Sequence, residues 1–227
     1  MNALIFGATG AIGEATAAKL EERGARVITS SRAPGGAELH VDPAGTPETI
    51  SALNGLRPLE AVVWAQGANI NDSAHTVDTE GFATVLDANI GFIVVTLQQL
   101  LAGACLSEGA SLVMVSSIWE NLARPGKFSY GVSKAAVGGL VRAASADLAK
   151  DGFRVNAVLP GVTDTPMTRS VLSSDRIAAV ERAVGLDRLV TLDEVASTIA
   201  WLCSSASSGI SGQSLAVDLG FSNVRDI

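Results

Sequence analysis

The chain is short of the residues that most often hold metals or cross-links. Its 227 residues include two cysteines and two histidines. Cys105 and Cys203 are far apart, outside any CxxC and without a histidine nearby, so they read as two small core residues rather than a redox or metal motif. His40 and His75 are equally isolated and read as surface or loop residues, so no metal site is expected. Positive charge is scarce: 16 Lys and Arg face 23 Asp and Glu, for a formal net charge of -7, and no basic block interrupts the acidity. A phosphate backbone is repelled by such a surface, so no nucleic-acid partner is expected. Long apolar runs are missing too. The longest, around Phe92–Leu106, is interrupted by Thr96, Gln98 and Gln99 and reads as too polar and too short to span a bilayer. The chain opens directly into Ala3-Leu4-Ile5-Phe6, with no basic flank or cleavage site. The expectation is a cytoplasmic protein without a membrane partner.

What is present is an alternation of short apolar runs with longer periodic segments. Apolar residues make up 48% and charged residues 17%, enough for a sizeable core. Asn2–Phe6, Arg26–Thr29, Glu38–Val41, Leu59–Trp64, Ser111–Val115, Arg154–Leu159 and Ser214–Asp218 read as strands. Ala11–Arg23, a short piece near Thr46–Leu53, Asp78–Leu106, Ser129–Lys150 and Leu192–Ser204 read as helices. The connection from Gly161 to Thr191 shows no clear strand. Strands alternating with helices predict right-handed crossovers and a parallel sheet covered on both faces. The expected fold is α/β, one Rossmann-type doubly wound domain over residues 1–227 with about seven strands. In such a sheet, ligands bind beyond the carboxyl ends of the strands.

Phe6-Gly7-Ala8-Thr9-Gly10-Ala11-Ile12-Gly13 falls at the first strand-to-helix turn. Gly7 suits a tight turn, Gly10 would admit a pyrophosphate, and Gly13 would let helix and strand approach. The helix N-terminus adds free N–H groups and a positive dipole end. The spacing is GxxGxxG rather than GxGxxG; a purely structural turn is the alternative. An NAD site usually ends its second strand with an acid that bonds the ribose 2′-OH. Here that strand runs into Thr29-Ser30-Ser31-Arg32. A small hydroxyl and a cation suit a 2′-phosphate, so NADP(H) is favoured over NAD(H). Otherwise Arg32 is a solvated loop residue.

The only tyrosine, Tyr130, lies four residues before Lys134. A free phenol titrates near ~10. An ammonium on the same helix face would favour the phenolate and lower that value. Hydride exchange with a carbonyl needs a proton donor or acceptor at the oxygen and a polar group to hold it. Ser117, thirteen residues before Tyr130, could supply the second contact. Taken alone, Tyr130 and Lys134 would read as an exposed helix pair.

These features together resemble the short-chain dehydrogenase/reductase family, nearly end to end. The likeness is carried by GATGAIG at 7–13, Ser117 with Tyr130-Gly-Val-Ser-Lys134, Val155-Asn-Ala-Val-Leu-Pro-Gly161 followed by Thr165 and Met167, and Gly212-Gln-Ser-Leu-Ala-Val-Asp218. The resemblance implies that Tyr130 is the general acid/base and that Lys134 binds the nicotinamide ribose and lowers the tyrosine pKa. It further implies that Ser117 holds the substrate oxygen and that Asn89 positions a water in a proton relay. For the cofactor it implies Gly7, Thr9, Gly10, Ala11, Ile12 and Gly13 at the phosphates, Ser31 and Arg32 at the 2′-phosphate, and Asp42 at the adenine. Gly67 matches the end of the family's NNAG. Pro160, Gly161 and Val162 match the turn facing the nicotinamide, and Thr165 the residue that contacts its carboxamide or the phosphates. For Asn89 a packing amide, and for Asp42 a turn residue before Pro43, are the alternatives.

The sequence departs from the family in Trp64-Ala65-Gln66-Gly67, which replaces NNAG, in Ala11, and in Val217-Asp218-Leu219-Gly220 for VDGG. Rearrangement around the adenosine pocket is expected, because an indole cannot tie neighbouring strands as an asparagine does. Trp119, Glu120 and Asn121 are candidates for the pocket mouth, and residues 164–190 for a substrate lid. Arg169, Arg176 and Arg182 in that lid read more simply as a solvated face. The expected activity is NADP(H)-dependent hydride transfer with a ketone or secondary alcohol. The rivals are an epimerase or dehydratase of the same fold, whose relatives usually carry a longer C-terminal domain, and a non-catalytic dinucleotide-binding regulator. By analogy, a homo-oligomer, dimer or tetramer, is expected through the two long helices.

Overall fold

The computed structural model describes residues 1–32, 35–42, 52–56, 58–184 and 186–223. Seven strands form one all-parallel sheet in the order β3-β2-β1-β4-β5-β6-β7. They are β1 (Asn2–Phe6), β2 (Arg26–Ser31), β3 (Leu39–His40), β4 (Leu59–Trp64), β5 (Leu106–Val115), β6 (Arg154–Pro160) and β7 (Ser214–Val217). The chain builds outward from β1 to β3, then returns to lay β4 on the other side of β1. The crevice between the ends of β1 and β4 is therefore the point where a doubly wound sheet binds ligands.

The pleat sorts the side chains onto two faces. Leu4, Phe6, Val62, Trp64, Leu112 and Met114 are buried on one face. Against them pack α3 (Phe92–Ala102) through Phe92, Leu97 and Leu100, and α4 (Phe128–Asp147) through Val137, Val141 and Ala144. Ala3, Ile5, Ala61, Val63 and Val113 face the other way. There they meet α1 (Ala11–Glu22) through Leu20 and α7 (Leu192–Leu202) through Val195 and Ile199. Full burial of each large apolar side chain contributes about 1.5–3 kcal/mol. A capping box starts α7: Glu194 N–H donates to Thr191 Oγ1 at 3.2 Å and Thr191 N–H to Glu194 Oε2 at 2.8 Å. The Arg188 guanidinium, foremost, and those Thr191 bonds hold the Glu194 carboxyl down at about 2.

Some boundaries differ from expectation. β5 starts at Leu106 rather than Ser111, and the preceding helix ends at Ala102. The first residues of β5 are half-exposed, and the register with β4 slips between Leu59 and Ala61, so no apolar alternation marks them. The connection from Gly161 to Thr191 contains two short helices, α5 (Pro166–Val171) and α6 (Ser174–Ala183). His40 lies on β3, and its Nδ1 is buried without a hydrogen-bond partner among the described residues. The short helix expected near Thr46–Leu53 falls largely outside the described residues.

The helical segment Thr79–Ala102 comprises α2 (Thr79–Leu86), a π-helical turn Asp87–Gly91, and α3. At 24 residues and a mean hydropathy of 1.6, it is long and apolar enough by composition to cross a membrane. This segment is not the Phe92–Leu106 run considered from sequence: it begins at Thr79 and ends at Ala102. Val85, Asn89, Phe92, Ile93, Thr96, Leu97 and Leu100 are buried at three- and four-residue spacing, so one face of it packs into the fold.

Candidate active site

The glycine turn sits at the crevice. Gly7 takes φ +75°, and the Gly7 and Ala8 N–H groups both donate to Ser30 O, at 3.0 and 3.1 Å. A methyl at Gly7 would lie 2.6 Å from Gln66 N, and one at Gly13 would lie 2.2 Å from Gly7 O. Both positions therefore require glycine. A methyl at Gly10 would meet only Gly7 O, at 3.4 Å, and would otherwise stand in open space. Gly10 is the N-cap of α1 and supplies no side-chain cap, so the helix's first N–H groups are left for another acceptor.

That space is a cavity of about 290 Å³ lined by Gly7, Thr9 and Gly10, by Ser30, Ser31 and Arg32 at the end of β2, and by Gln66 and Gly67 after β4. Ser31 is buried and Arg32 exposed. Val41 lines it, whereas its neighbour Asp42 does not. Ala11, Ile12 and Gly13 lie just behind, in the first turn of α1. Both polar atoms of the Gln66 carboxamide are buried without a hydrogen-bond partner among the described residues.

Trp64 is fully buried. Its indole stacks on Phe6, with centroids 5.7 Å apart, and Nε1 donates to Thr96 Oγ1 at 2.9 Å. The side chain thus fastens β4 to α3, while the strand register with Phe6 and Met114 is kept.

Beyond the glycine turn lies the polar cluster. Ser117 follows β5 and is the N-cap of a 3₁₀ turn, Ile118–Glu120, its Oγ accepting from Trp119 N–H at 3.3 Å. Tyr130 stands in the first turn of α4, half-buried. Lys134, one turn on, is 5% exposed; its Nζ donates to Val115 O at 3.0 Å and stands 5.6 Å from the Tyr130 ring centroid. Burial pulls Lys134 down to about 8, with the Glu120 carboxylate opposing. The expected lowering of Tyr130 is not found. Burial pushes the phenol above its ordinary value, and the Ser117 side chain pulls it partly back. The ammonium stands 5.6 Å from the ring centroid, and the phenol stays protonated at neutral pH.

Asn89 sits in the π turn, 1% exposed. Its Oδ1 accepts from Ala68 N–H at 2.7 Å, and its Nδ2 donates to Ala68 O at 3.0 Å and to Ser133 Oγ at 2.8 Å. Thus Asn89 binds the loop after β4 to α4. A methyl at Gly67 would lie 2.9 Å from Asn89 Oδ1 and 3.7 Å from Lys134 Nζ, so these three positions converge.

Several partners were not singled out from sequence. Asp72, buried, accepts from Ser129 N–H at 3.0 Å and from the Ser129 hydroxyl, and its backbone O from Phe128 N–H, fixing the start of α4 beside Tyr130. These Ser129 bonds, the hydroxyl foremost, hold its carboxyl below the usual range. Ser133 Oγ donates to Tyr130 O at 2.7 Å. Their partners lie far along the chain or in the helix backbone, where local patterns carry no signal.

The C-terminal contributors lie at the ends of β6 and β7. Pro160 closes β6, and Gly161 N–H donates to Val217 O at 2.9 Å. Val162 O accepts from Val190 N–H at 3.2 Å, and Thr165 caps α5 by accepting from Thr168 N–H at 3.0 Å. None of these four lines the 290 Å³ cavity. Arg169 is tied to Asp164 by two bonds, at 2.6 and 2.7 Å, while Arg176 and Arg182 are exposed. Trp119 and Glu120 line a second cavity of about 450 Å³ with residues 122–128 and the outer side of α4; Asn121 does not.

A model of the enoyl-(acyl carrier protein) reductase family matches residues 48–222. The chain is 30% identical to a 3-oxoacyl-(acyl-carrier-protein) reductase of Vibrio cholerae, covering 96% of each chain. It is 32% identical to a cis-4-hydroxycyclohexanecarboxylate dehydrogenase of Sinomonas cyclohexanicum, covering 98% of this chain and 96% of the relative. Among solved structures, a short chain dehydrogenase family protein of Francisella tularensis superposes with TM-score 0.88 at 25% identity, over 98% of this chain and 99% of the other. A gluconate 5-dehydrogenase of Burkholderia cenocepacia in complex with NADP and tartrate shares the fold, with TM-score 0.92 at 22% identity, over 99% and 96%.

Proposed function

Because this chain belongs to the short-chain dehydrogenase/reductase family, we propose that it is an NADP(H)-dependent oxidoreductase in which Tyr130 exchanges the proton at a ketone or secondary alcohol. The observation that carries this reading is the meeting of three groups from different elements. The buried Lys134 ammonium, held by Val115 O, lies over the Tyr130 ring, and the Ser117 side chain reaches the phenol.

The residues present fit a dinucleotide. Gly10 leaves open space at the N-terminus of α1, and a cation, Arg32, stands where a 2′-phosphate would need one. Gly7, Thr9, Gly10, Ala11, Ile12 and Gly13 would hold the phosphates, Ser31 and Arg32 the 2′-phosphate, and Asp42 the adenine edge. Lys134 would bind the nicotinamide ribose, with Pro160, Gly161, Val162 and Thr165 beside the ring. When bound, the reduced nicotinamide supplies the hydride that adds to the carbonyl carbon.

The chain supplies the rest. Ser117 donates a hydrogen bond to the substrate oxygen as negative charge grows there. Tyr130, a phenol protonated at neutral pH and held further that way by burial, gives that oxygen its proton. Lys134 stabilises the phenolate that remains. Asn89 holds Ala68 and α4 at the separation this needs, and a water carried near it would return the proton. The helices over residues 164–190 form a lid; Met167, Val171 and Leu186 are 76%, 70% and 60% exposed and would cover a bound substrate. Exposed Val94, Val95 and Leu101 on α3 and Phe128 and Val132 on α4 support a homo-oligomer through these helices.

The test is NADPH consumption against ketones, ketosugars and 3-oxoacyl thioesters, for wild type and Tyr130→Phe. Turnover by wild type that falls by about 10³-fold in the variant, with NADPH binding intact, is expected. Equal turnover in both would sink the role of Tyr130. Binding without turnover across the panel would favour the regulator reading.

A further inference from the structure

Beside the cofactor cavity lies a polar group that nothing among the described residues satisfies. Gln66 Nε2 and Oε1 are both buried, and neither has a hydrogen-bond partner among the described residues. A buried, unpaired carboxamide is costly. In native chains such a group calls for an explanation: strain, an ordered water, an ion or a functional role.

Its position says which ligand. Gln66 lines the cavity together with Gly7 and Gly10. Its backbone lies against the glycine turn, since a methyl at Gly7 would come within 2.6 Å of Gln66 N. The next residue, Gly67, lies against Asn89 Oδ1 and Lys134 Nζ. Gln66 is thus the link between the turn that would take phosphates and the lysine that would take a ribose. A carboxamide has two N–H donors and one oxygen acceptor. Phosphate oxygens accept and ribose hydroxyls both donate and accept, so a sugar–phosphate backbone can satisfy both ends at once. The alanine of the family's NNAG, which Gln66 replaces, can satisfy neither.

We propose that the Gln66 carboxamide is a binding group for the phosphate–ribose backbone of the dinucleotide. The proposal rests on the reading of the protein as a dinucleotide-dependent oxidoreductase. It makes Gln66 a residue whose polar atoms cost stability in the free protein and recover it in the complex. A group that merely packs would show no such opposition.

The experiment measures two quantities on ligand-free protein and its Gln66→Met and Gln66→Leu variants: the melting temperature, and the NADPH dissociation constant by calorimetry. Methionine keeps length and flexibility while removing both polar atoms, so its result decides if leucine packs poorly. NADPH binding weakened about tenfold or more, a loss of about 1.4 kcal/mol, is expected with a melting temperature equal to or above wild type. A dissociation constant within about twofold of wild type in Gln66→Met overturns the proposal. So does a melting temperature that falls together with affinity, because the amide would then be serving the fold. If wild type prefers NADH, the same comparison with NADH decides the role of Gln66. Wild type that binds neither dinucleotide sinks the functional reading and this inference with it.

Discussion

Asn89 Nδ2 donates to Ser133 Oγ at 2.8 Å, joining the π turn to α4 one residue before Lys134. With its two bonds to Ala68, the Asn89 side chain holds together three segments that contribute to the proposed site.

Asn89→Leu should therefore unfasten the site as well as weaken the fold. The Ala68 N–H, Ala68 O and Ser133 hydroxyl would each lose a buried partner, at about 1–3 kcal/mol for a stranded group. Urea denaturation should show a loss of about 3 kcal/mol or more in total. A midpoint unchanged from wild type would mean that water replaces the amide without cost.

Two glycines of one turn should fail in different ways. Gly13→Ala puts a methyl 2.2 Å from Gly7 O, backbone against backbone, and should destabilise by about 1–3 kcal/mol or more. Gly10→Ala meets only Gly7 O at 3.4 Å, so its melting temperature should stay near wild type while dinucleotide affinity drops. Melting curves with and without NADPH separate the two. Similar stability loss in both variants would contradict the close approach at Gly13.

Restoring the family asparagine should harm this protein. Trp64→Asn deletes the stack on Phe6 and the bond to Thr96 and leaves a cavity between β4 and α3. The expected cost is about 3–5 kcal/mol, the range for truncating a large buried aromatic. Chemical denaturation of the variant checks it; a loss below about 1 kcal/mol would show that asparagine finds a strand partner here.

Stability should depend on pH through Lys134. Its folded pKa, about 8, lies below the value near 10.5 of an unfolded lysine. Between these values the unfolded chain binds more protons than the folded one, so this group makes folding more favourable as pH rises. Below about pH 8 both forms are charged, and the burial penalty is present in full. Relative to Lys134→Met, wild type should gain about 2 kcal/mol between pH 7.5 and 9.5. Tyr130 acts in the opposite sense only from about pH 10 upward, because its folded pKa is raised. Parallel curves for wild type and variant would show that Lys134 keeps its ordinary pKa.

Much of this architecture was legible because its signals are local. The apolar runs of β1 and β4 and the Gly7–Gly13 turn can be read within a dozen residues. Tyr130 and Lys134 follow from helical spacing. The missing half is made of partnerships across the chain. Asp72 finds Ser129 across 57 positions, and Asn89 finds Ser133 across 44. No periodicity records such pairs. The pKa of Tyr130 was misjudged for the same reason. Spacing puts an ammonium nearby, but only the fold tells how deeply the ring is buried and how far from it the ammonium stands. Gln66 was visible as a departure from NNAG, yet its lack of partners among the described residues is a property of the assembled cavity.

The π turn at Asp87–Gly91 changes how the length of the Thr79–Ala102 segment must be understood. Such a turn amounts to one residue more than an α-helix would use. Removing one residue between 87 and 91 would let the helix close into an uninterrupted ladder. The backbone would gain regularity and the flanking turns would largely keep their register, because the π turn absorbs the extra residue; what would be lost is the widened turn that carries Asn89. With α3 pinned by Phe92, Leu97 and Leu100, the Asn89 amide would swing away from Ala68 and Ser133. In this segment the irregular turn is what aims a side chain, and the more regular helix would be the less useful one.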